Sequence, residues 1–275
     1  MIKKLIFLTG TRADYGKIKP LIKTLNKYKK YKIFILVTGM HLSKRYGSTY
    51  QEIEKDFPKI SIKKFKNLNS KDSADITLSK TINSINRIVL KIKPDLMILH
   101  GDRLETLAAS IVASFNKFLI AHIEGGEVSG TLDETVRHAV SKLSNIHLVS
   151  NFNAKQNLVQ MGEFKKNIYI MGSPEVDTMI SQSLPTIQNV KKRYAIKYNK
   201  YSIFCLHPDT NENKTKTKKN IKICISALKK INHNYIIIFP NNDENSKIIL
   251  KEILILKRLK NFKIFPSMRF EYFLT

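Results

Sequence analysis

The stretch "FLTGTRADYGKIKPLI", residues 7–22, reads as the end of a strand, a turn and the start of a helix. An apolar run reaches Gly10, Arg12 follows two residues later, and helical spacing begins near Gly16. The turn is not a dinucleotide fingerprint, because only Gly10 and Gly16 are present. It is not a nucleotide P-loop either, because Ile18 stands where that loop needs Ser or Thr after Lys17. Its geometry still points backbone N–H groups and a helix dipole at the carboxyl edge of a sheet. Arg12 and Lys17 would add positive charge for a phosphate there. The plainer alternative is a β-to-α turn carrying a surface arginine.

The same rhythm continues outward from this turn. Strands are expected at 5–9, 32–38, 96–100, 118–123, 146–150 and 168–172, with a weaker one at 59–65. Helices are expected at 16–29, 43–56, 74–92, 103–116, 132–144 and 152–162. Strands and helices that alternate in this way, with strands that are continuous apolar runs, argue for an α/β domain with a parallel sheet covered on both faces. Residues 182–200 are polar and basic and carry no strand, which places a domain boundary there. A first domain of 1–181 and a second of 182–275 follow. The second repeats the rhythm: "YSIFCLH", a helix near 217–231, "YIIIFP", a helix near 245–257, and "FKIFP". Three strands are fewer than a doubly wound domain usually has. The last residues, "MRFEYFLT", read as the start of a further helix. A C-terminally truncated protein is therefore expected, with strands 201–206 and 235–239 incompletely covered; a short natural variant is the alternative.

Composition excludes several classes. A chain of 275 residues with 43% hydrophobic content is ordinary for a globular protein. No apolar run approaches a membrane span, and the N-terminus lacks the pattern of a signal peptide, so a cytoplasmic protein with no membrane partner is expected. The net charge of +26 raises the question of nucleic acid. The lysines, however, are scattered without interleaved aromatics or a binding motif, so solvated helix faces and no nucleic-acid partner are expected. Cys205 and Cys224 have no metal-ligand spacing and read as reduced core thiols.

Candidate chemistry collects where strands end. "LHGDRLE" puts Asp102 after one strand, either capping the next helix or serving as a catalytic carboxylate. "AHIEGG" puts Glu124 after the next strand, before two glycines that permit close backbone approach. "SGTLDETVRHAVSK" then brings Asp133, Glu134, Arg137 and His138 to a helix start, with Asp133 and Arg137 on one face. Three acids at consecutive β-to-α junctions beside an anion site suggest proton transfers. His207 in "CLHPDTNE" ends the first strand of the second domain, as a turn residue or as a contact to a phosphate or leaving group. His41 in "TGMHLS" is a weaker candidate, having no accompanying acid.

"TGTRADYGKIKPLI", "TGMHLS", "KPDLMILHGDRLETLAA", "AHIEGGEVSGTLDETVRHAVSKLS", "MGSPEVD", "LHPDT" and "FPSMRFEYF" occur in that order. With them the chain resembles the hydrolysing UDP-N-acetylglucosamine 2-epimerases of the bacterial sialic-acid type, along its whole length. The resemblance implies two Rossmann-like domains of GT-B type, the second incomplete in this chain. It places Arg12 and Lys17 near the phosphates, and Asp102, Glu124 and Asp133 among the catalytic acids. It places His207 beside the diphosphate and leaving oxygen, and Phe273 beside the uracil. Arg137 is grouped with the substrate-binding residues.

The family's C-terminal glycine-rich diphosphate turn and its ribose-binding glutamate are absent here. The compact "EGGEVSGTLDETVRH" resembles the hydrolysing branch. Conversion of UDP-N-acetylglucosamine and water to N-acetylmannosamine and UDP is implied, without metal or other cofactor, for surface sialic-acid synthesis. A homodimer or homotetramer is the assembly to expect. Two rivals stand beside this reading: the same reaction on UDP- or GDP-linked N,N′-diacetylbacillosamine, and an inactive nucleotide-binding remnant.

Overall fold

The computed structural model describes residues 2–69, 72–180, 184–209 and 212–275. The chain divides into two compact units, Met1–Gln182 and Ser183–Thr275. The boundary expected at 181/182 lies outside the described residues.

The first unit runs β1 (Lys3–Thr9), α1 (Arg12–Leu25), β2 (Tyr31–Val37), α2 (Tyr50–Asp56), β3 (Ser61–Lys64), α3 (Ala74–Ile92) and β4 (Leu96–His100). It continues with α4 (Leu104–Phe115), β5 (Leu119–Ile123), α5 (Leu132–Lys142), β6 (Ile146–Val149), α6 (Phe152–Gln160), β7 (Ile168–Ile170) and α7 (Pro174–Met179). Its seven strands form one parallel sheet in the order β3-β2-β1-β4-β5-β6-β7. The chain therefore reverses its direction of sheet growth between β1 and β4, the kind of position where open α/β sheets bind ligands.

Alternation along the strands makes two cores. Leu5 and Phe7 of β1 and Ile33 and Ile35 of β2 point to one face, where Tyr15, Ile18 and Ile22 of α1 cover them. Ile6 and Leu8, with Phe34 and Leu36, point to the other, under Ile85 and Val89 of α3 and Ala108 and Val112 of α4. Strands buried on both faces in this way must be apolar throughout.

Two expected helices differ. The first begins at Arg12, not Gly16, because Thr11 and Asp14 form a capping box that starts the helix four residues earlier. The helix expected over 43–56 is two short 3₁₀ turns, Gly39–Leu42 and Lys44–Tyr46, followed by α2 alone. Positive φ angles at Gly47 (88°) and Ser48 (49°) interrupt the helical path there.

The second unit contains α8 (Ile187–Arg193), β8 (Ser202–Cys205), α9 (Lys214–Lys230), β9 (Tyr235–Ile238), α10 (Ser246–Ile255), β10 (Phe262–Phe265) and α11 (Phe270–Leu274). Its three parallel strands are ordered β10-β9-β8. The expected exposure of 235–239 is not met for Tyr235, Ile236 and Ile237, which are all buried. Ile221, Ile225, Ile249 and Ile253 cover one face of β9, while Val190 and Met268 cover Ile236 on the other. On β8, Ile203 is 45% exposed. Cys205 is exposed and Cys224 half-buried, both free, so Cys205 is not the core thiol expected: it sits on an edge strand. Among the described residues no helix is long and apolar enough to cross a membrane.

Candidate active site

The site is built at the carboxyl ends of β1, β4, β5 and β7. At the first of these, the turn is closed by its own chain. The Asp14 carboxylate accepts from the N–H of Gly10 at 2.9 Å and of Thr11 at 3.2 Å, and from the Thr9 hydroxyl. Two backbone amides of this turn, those of Gly10 and Thr11, are thus already engaged. Arg12, at the start of α1, is paired with Glu52 of α2: its Nε donates to Oε2 at 3.2 Å, and its Nη2 to Oε1. His41, buried nearby, lies 2.9 Å from the Thr9 hydroxyl and 2.5 Å from that of Thr49. Burial lowers its pKa to about 4, which makes it a neutral core residue.

One turn further along α1, Lys17 is engaged by two glutamates. Its Nζ lies 2.8 Å from Glu124 Oε2 and 2.6 Å from Glu175 Oε2. Burial would lower the Lys17 pKa, but hydrogen bonds and charge from the two glutamates raise it instead. Glu124 follows β5 directly and adopts φ 61°, a left-handed conformation uncommon for a residue with a side chain. Strained backbone of this kind gathers at functional sites. Its carboxylate also receives His100 Nε2 at 2.8 Å and the Ser173 hydroxyl at 3.0 Å. Burial pushes the Glu124 pKa upward; His100 and Lys17 outweigh that and hold it at about 2.

Asp102 lies beside this cluster in the chain, on the adjoining strand end: His100 pairs with Ile123 in the sheet, and Gly101 N–H donates to Ile123 O at 3.0 Å. Asp102 does not cap α4, whose N-cap position is Arg103. It is drawn instead to Arg137 of α5, whose Nη2 donates to Oδ2 and whose Nη1 donates to Glu127 O at 2.8 Å. His122, fully buried under both junctions, fixes them together. Its Nε2 donates to Gly101 O at 2.8 Å, and its Nδ1 lies 3.0 Å from Ser141 Oγ of α5. Burial lowers its pKa to about 3, so it is neutral. A Cβ on Gly125 would come within 2.8 Å of His122 Nδ1, which explains the glycine after Glu124.

Asp133 is exposed in the first turn of α5. Its neighbour Glu134 is engaged by the preceding loop, accepting from the N–H groups of Ser129 and Gly130 at 2.5 and 2.6 Å. Those bonds lower its pKa. In the second unit, His207 Nδ1 accepts from Asn241 N–H at 3.2 Å, and its Nε2 lies 3.4 Å from Cys205 Sγ. Phe273 is 40% exposed on α11.

The first unit thus gathers Lys17 with Glu124, and Asp102 with Arg137. It sends Arg12 to Glu52. Sequence reading missed His100, Glu52, Ser173 and Glu175. His100 had a signal, since it precedes Gly101 and Asp102 at a strand's end; Ser173 and Glu175 flank a helix-starting proline. Glu52 had none.

A family model described as UDP-N-acetylglucosamine 2-epimerase matches residues 23–275. UDP-N-acetylglucosamine 2-epimerase of Neisseria meningitidis is 42% identical over 274 residues, covering 100% of this chain and 72% of that protein. UDP-N,N′-diacetylbacillosamine 2-epimerase (hydrolyzing) of Legionella pneumophila is 34% identical over 257 residues, covering 92% and 68%. The crystal structure of UDP-GlcNAc 2-epimerase from N. meningitidis bound to UDP-GlcNAc superimposes with TM-score 0.78 at 21% identity, over 98% of this chain and 74% of that one. That likeness shows the α/β fold of the GT-B epimerases. By sequence, the chain belongs to the UDP-N-acetylglucosamine 2-epimerase family.

Proposed function

We propose that this protein is a hydrolysing 2-epimerase that converts UDP-N-acetylglucosamine and water to N-acetylmannosamine and UDP, for sialic-acid-type surface sugars. The observation that carries the reading is the clamped Glu124 carboxylate, one junction away from the Asp102–Arg137 pair. Epimerisation at C2 needs a proton removed from one face of the sugar and one delivered to the other. Two carboxylates on adjoining strand ends suit that task. Each would contribute about 10²–10⁴-fold as general acid or base.

The first step moves the C2 proton to a carboxylate. The C–H electron pair forms the C1–C2 double bond, and the C1–O bond breaks, releasing UDP and leaving 2-acetamidoglucal. Water then adds its oxygen to C1 and gives up a proton to the second carboxyl group, whose own proton goes to C2 on the opposite face. The proton taken up in the first step is released to solvent, and both carboxyl groups are back in their starting states. Glu124 is ionised at neutral pH and ready to accept a proton, but a carboxylate with a pKa of about 2 is a weak base. Departure of UDP must therefore run with or ahead of proton removal, so stabilising the leaving diphosphate governs the rate. Arg12 and His207 are the residues assigned to that stabilisation, Phe273 to the uracil, and Asp133 to the acid set; Arg137 holds Asp102.

Proton NMR of the reaction in heavy water tests this. Free N-acetylmannosamine carrying deuterium at C2, together with UDP, is the expected product. UDP-N-acetylmannosamine as final product would instead place the protein among epimerases that return the sugar to UDP. A second reading, the same reaction on a UDP-linked N,N′-diacetylbacillosamine, is favoured by the 34% identity to the Legionella enzyme, and the same assay with that sugar decides it.

A further inference from the structure

Ser173 occupies the N-cap position of α7, where a serine side chain ordinarily accepts from the helix's first N–H groups. Here it makes no capping bond. Its hydroxyl turns away from the helix and donates to Glu124 Oε1 at 3.0 Å. A residue type suited to a local task has been diverted to a partner 49 positions away.

The other donors divide unevenly. Lys17 Nζ and His100 Nε2 both reach Oε2, each at 2.8 Å. A carboxylate oxygen offers two lone-pair directions. Oε2 has both engaged, whereas Oε1 has one engaged by Ser173 and one left for an incoming proton. We propose that Glu124 reacts through Oε1 and that Ser173 is the residue that positions this oxygen. The proposal rests on the reading of Glu124 as a proton carrier.

The arrangement has a functional logic. Lys17 and His100 hold the carboxylate's charge from α1 and β4, and Glu175 of α7 holds Lys17 from its other side. They anchor the oxygen that does not react. Ser173, being neutral, fixes the direction of the reacting oxygen without adding a charge that the sugar would have to approach. The hydroxyl's single proton is committed to Glu124, so the Oε1 lone pair opposite it has a defined direction toward a C2 proton. Loss of that hydroxyl frees the carboxylate to rotate about its last side-chain bond, and also removes one donor that favours the ionised form.

Two measurements on the full chain test the proposal. In protein labelled with ¹³C at glutamate carboxyls, the Glu124 signal is identified by its loss in Glu124→Gln. Ser173→Ala is expected to shift its titration upward by about one to two pH units. Ser173→Thr, which keeps the hydroxyl, is expected to restore the original curve. In turnover of UDP-N-acetylglucosamine, Ser173→Ala should lower kcat about tenfold or more with KM within about threefold, and Ser173→Thr should recover most of the loss. Ser173→Cys, close in size but a weaker donor, replaces the alanine variant if that one does not fold. Superimposable titration curves for wild type and Ser173→Ala, or an unchanged kcat, would overturn the proposal. A wild-type chain that releases no sugar from any nucleotide sugar would overturn the assigned reaction instead, and the titration would then judge the Ser173–Glu124 relationship by itself.

Discussion

Lys17 and Glu124, 107 residues apart in the chain, meet with 2.8 Å between Nζ and Oε2. Both side chains are largely buried, at 22% and 11% exposed, so neither is well hydrated without the other. Lys17→Met would leave Glu124 with His100 and Ser173 alone, and Glu175 without its cation. The expected cost is about 1–3 kcal/mol of unfolding free energy, read from urea denaturation. Glu175→Gln in the same background should recover part of it, because one uncompensated charge is removed. A Lys17→Met variant as stable as wild type would mean that the pair carries no weight in the fold.

Stability should fall with acid in two windows. His41 and His122 are neutral when folded, with pKa values lowered from 6.5 to about 4 and about 3. The unfolded chain takes up those protons first, so their contribution is present above about pH 6.5 and is lost as the pH falls toward 4 and 3. Each histidine supplies a slope of at most about 1.4 kcal/mol per pH unit. Glu124, lowered to about 2 from 4.5, stabilises above pH 4.5, and that share is lost as the pH falls toward 2. Urea midpoints measured from pH 7 to 4 should decline throughout, and His122→Asn should flatten the slope between about 6 and 4.5. A flat wild-type profile over that range would contradict neutral burial of both histidines.

Arg12 has two claimants, Glu52 in this structure and a phosphate in the proposed complex. If it serves the nucleotide, Arg12→Ala should weaken UDP binding by about tenfold in calorimetric titration, as expected for loss of a charge-assisted bond. Glu52→Gln should then tighten it, because the competing carboxylate is gone. Unchanged affinity in both variants would confine Arg12 to joining α1 and α2.

Asp102→Asn and Glu124→Gln should each cut turnover by about 10²–10⁴-fold while leaving UDP affinity within a few fold. Single-turnover assays following C2 deuteration separate loss of proton transfer from loss of binding. Residual activity near wild type in either variant would remove that residue from the acid–base pair.

Gly126→Ala should destabilise by about 2–4 kcal/mol. At φ 81° an added Cβ would sit 2.3 Å from the backbone oxygen of Ala154 and 2.9 Å from Leu158 Cγ. Backbone cannot step aside as a side-chain tip can, so α6 would have to shift. A thermal midpoint within a degree of wild type would show that the turn has room.

Sequence patterning resolved what local physics decides. The helix over 74–92 and the strand over 96–100 have the bounds that their apolar periods and turn signals predict. The start of α1 was harder, because Gly16 looked like a beginning while the Thr11–Asp14 box set the true one. Asp102 and Glu124 were legible as acids at strand ends. What engages them was not: Arg137, His100, Ser173 and Glu175 arrive from elements whose closeness depends on sheet order, and no local spacing encodes that. Glu52 sits on an exposed-looking polar helix, and its hold on Arg12 spans 40 residues.

The Glu124 cluster joins Lys17 after β1, His100 at the end of β4, Glu124 after β5, and Ser173 and Glu175 after β7, spanning residues 17 to 175. The β4–α4–β5 unit alone brings His100 to Glu124, but no single βαβ unit brings Lys17, Ser173 or Glu175 to them. Loop-closure entropy must be met across most of the first unit before the whole set of bonds forms, and contacts as distant as Lys17–Glu124 are slow to make. The carboxylate therefore acquires its complete environment only when the sheet has been assembled as far as its outer strand. During refolding, regain of the Glu124 titration should lag behind regain of helical signal, which makes this one side chain a reporter of completed topology.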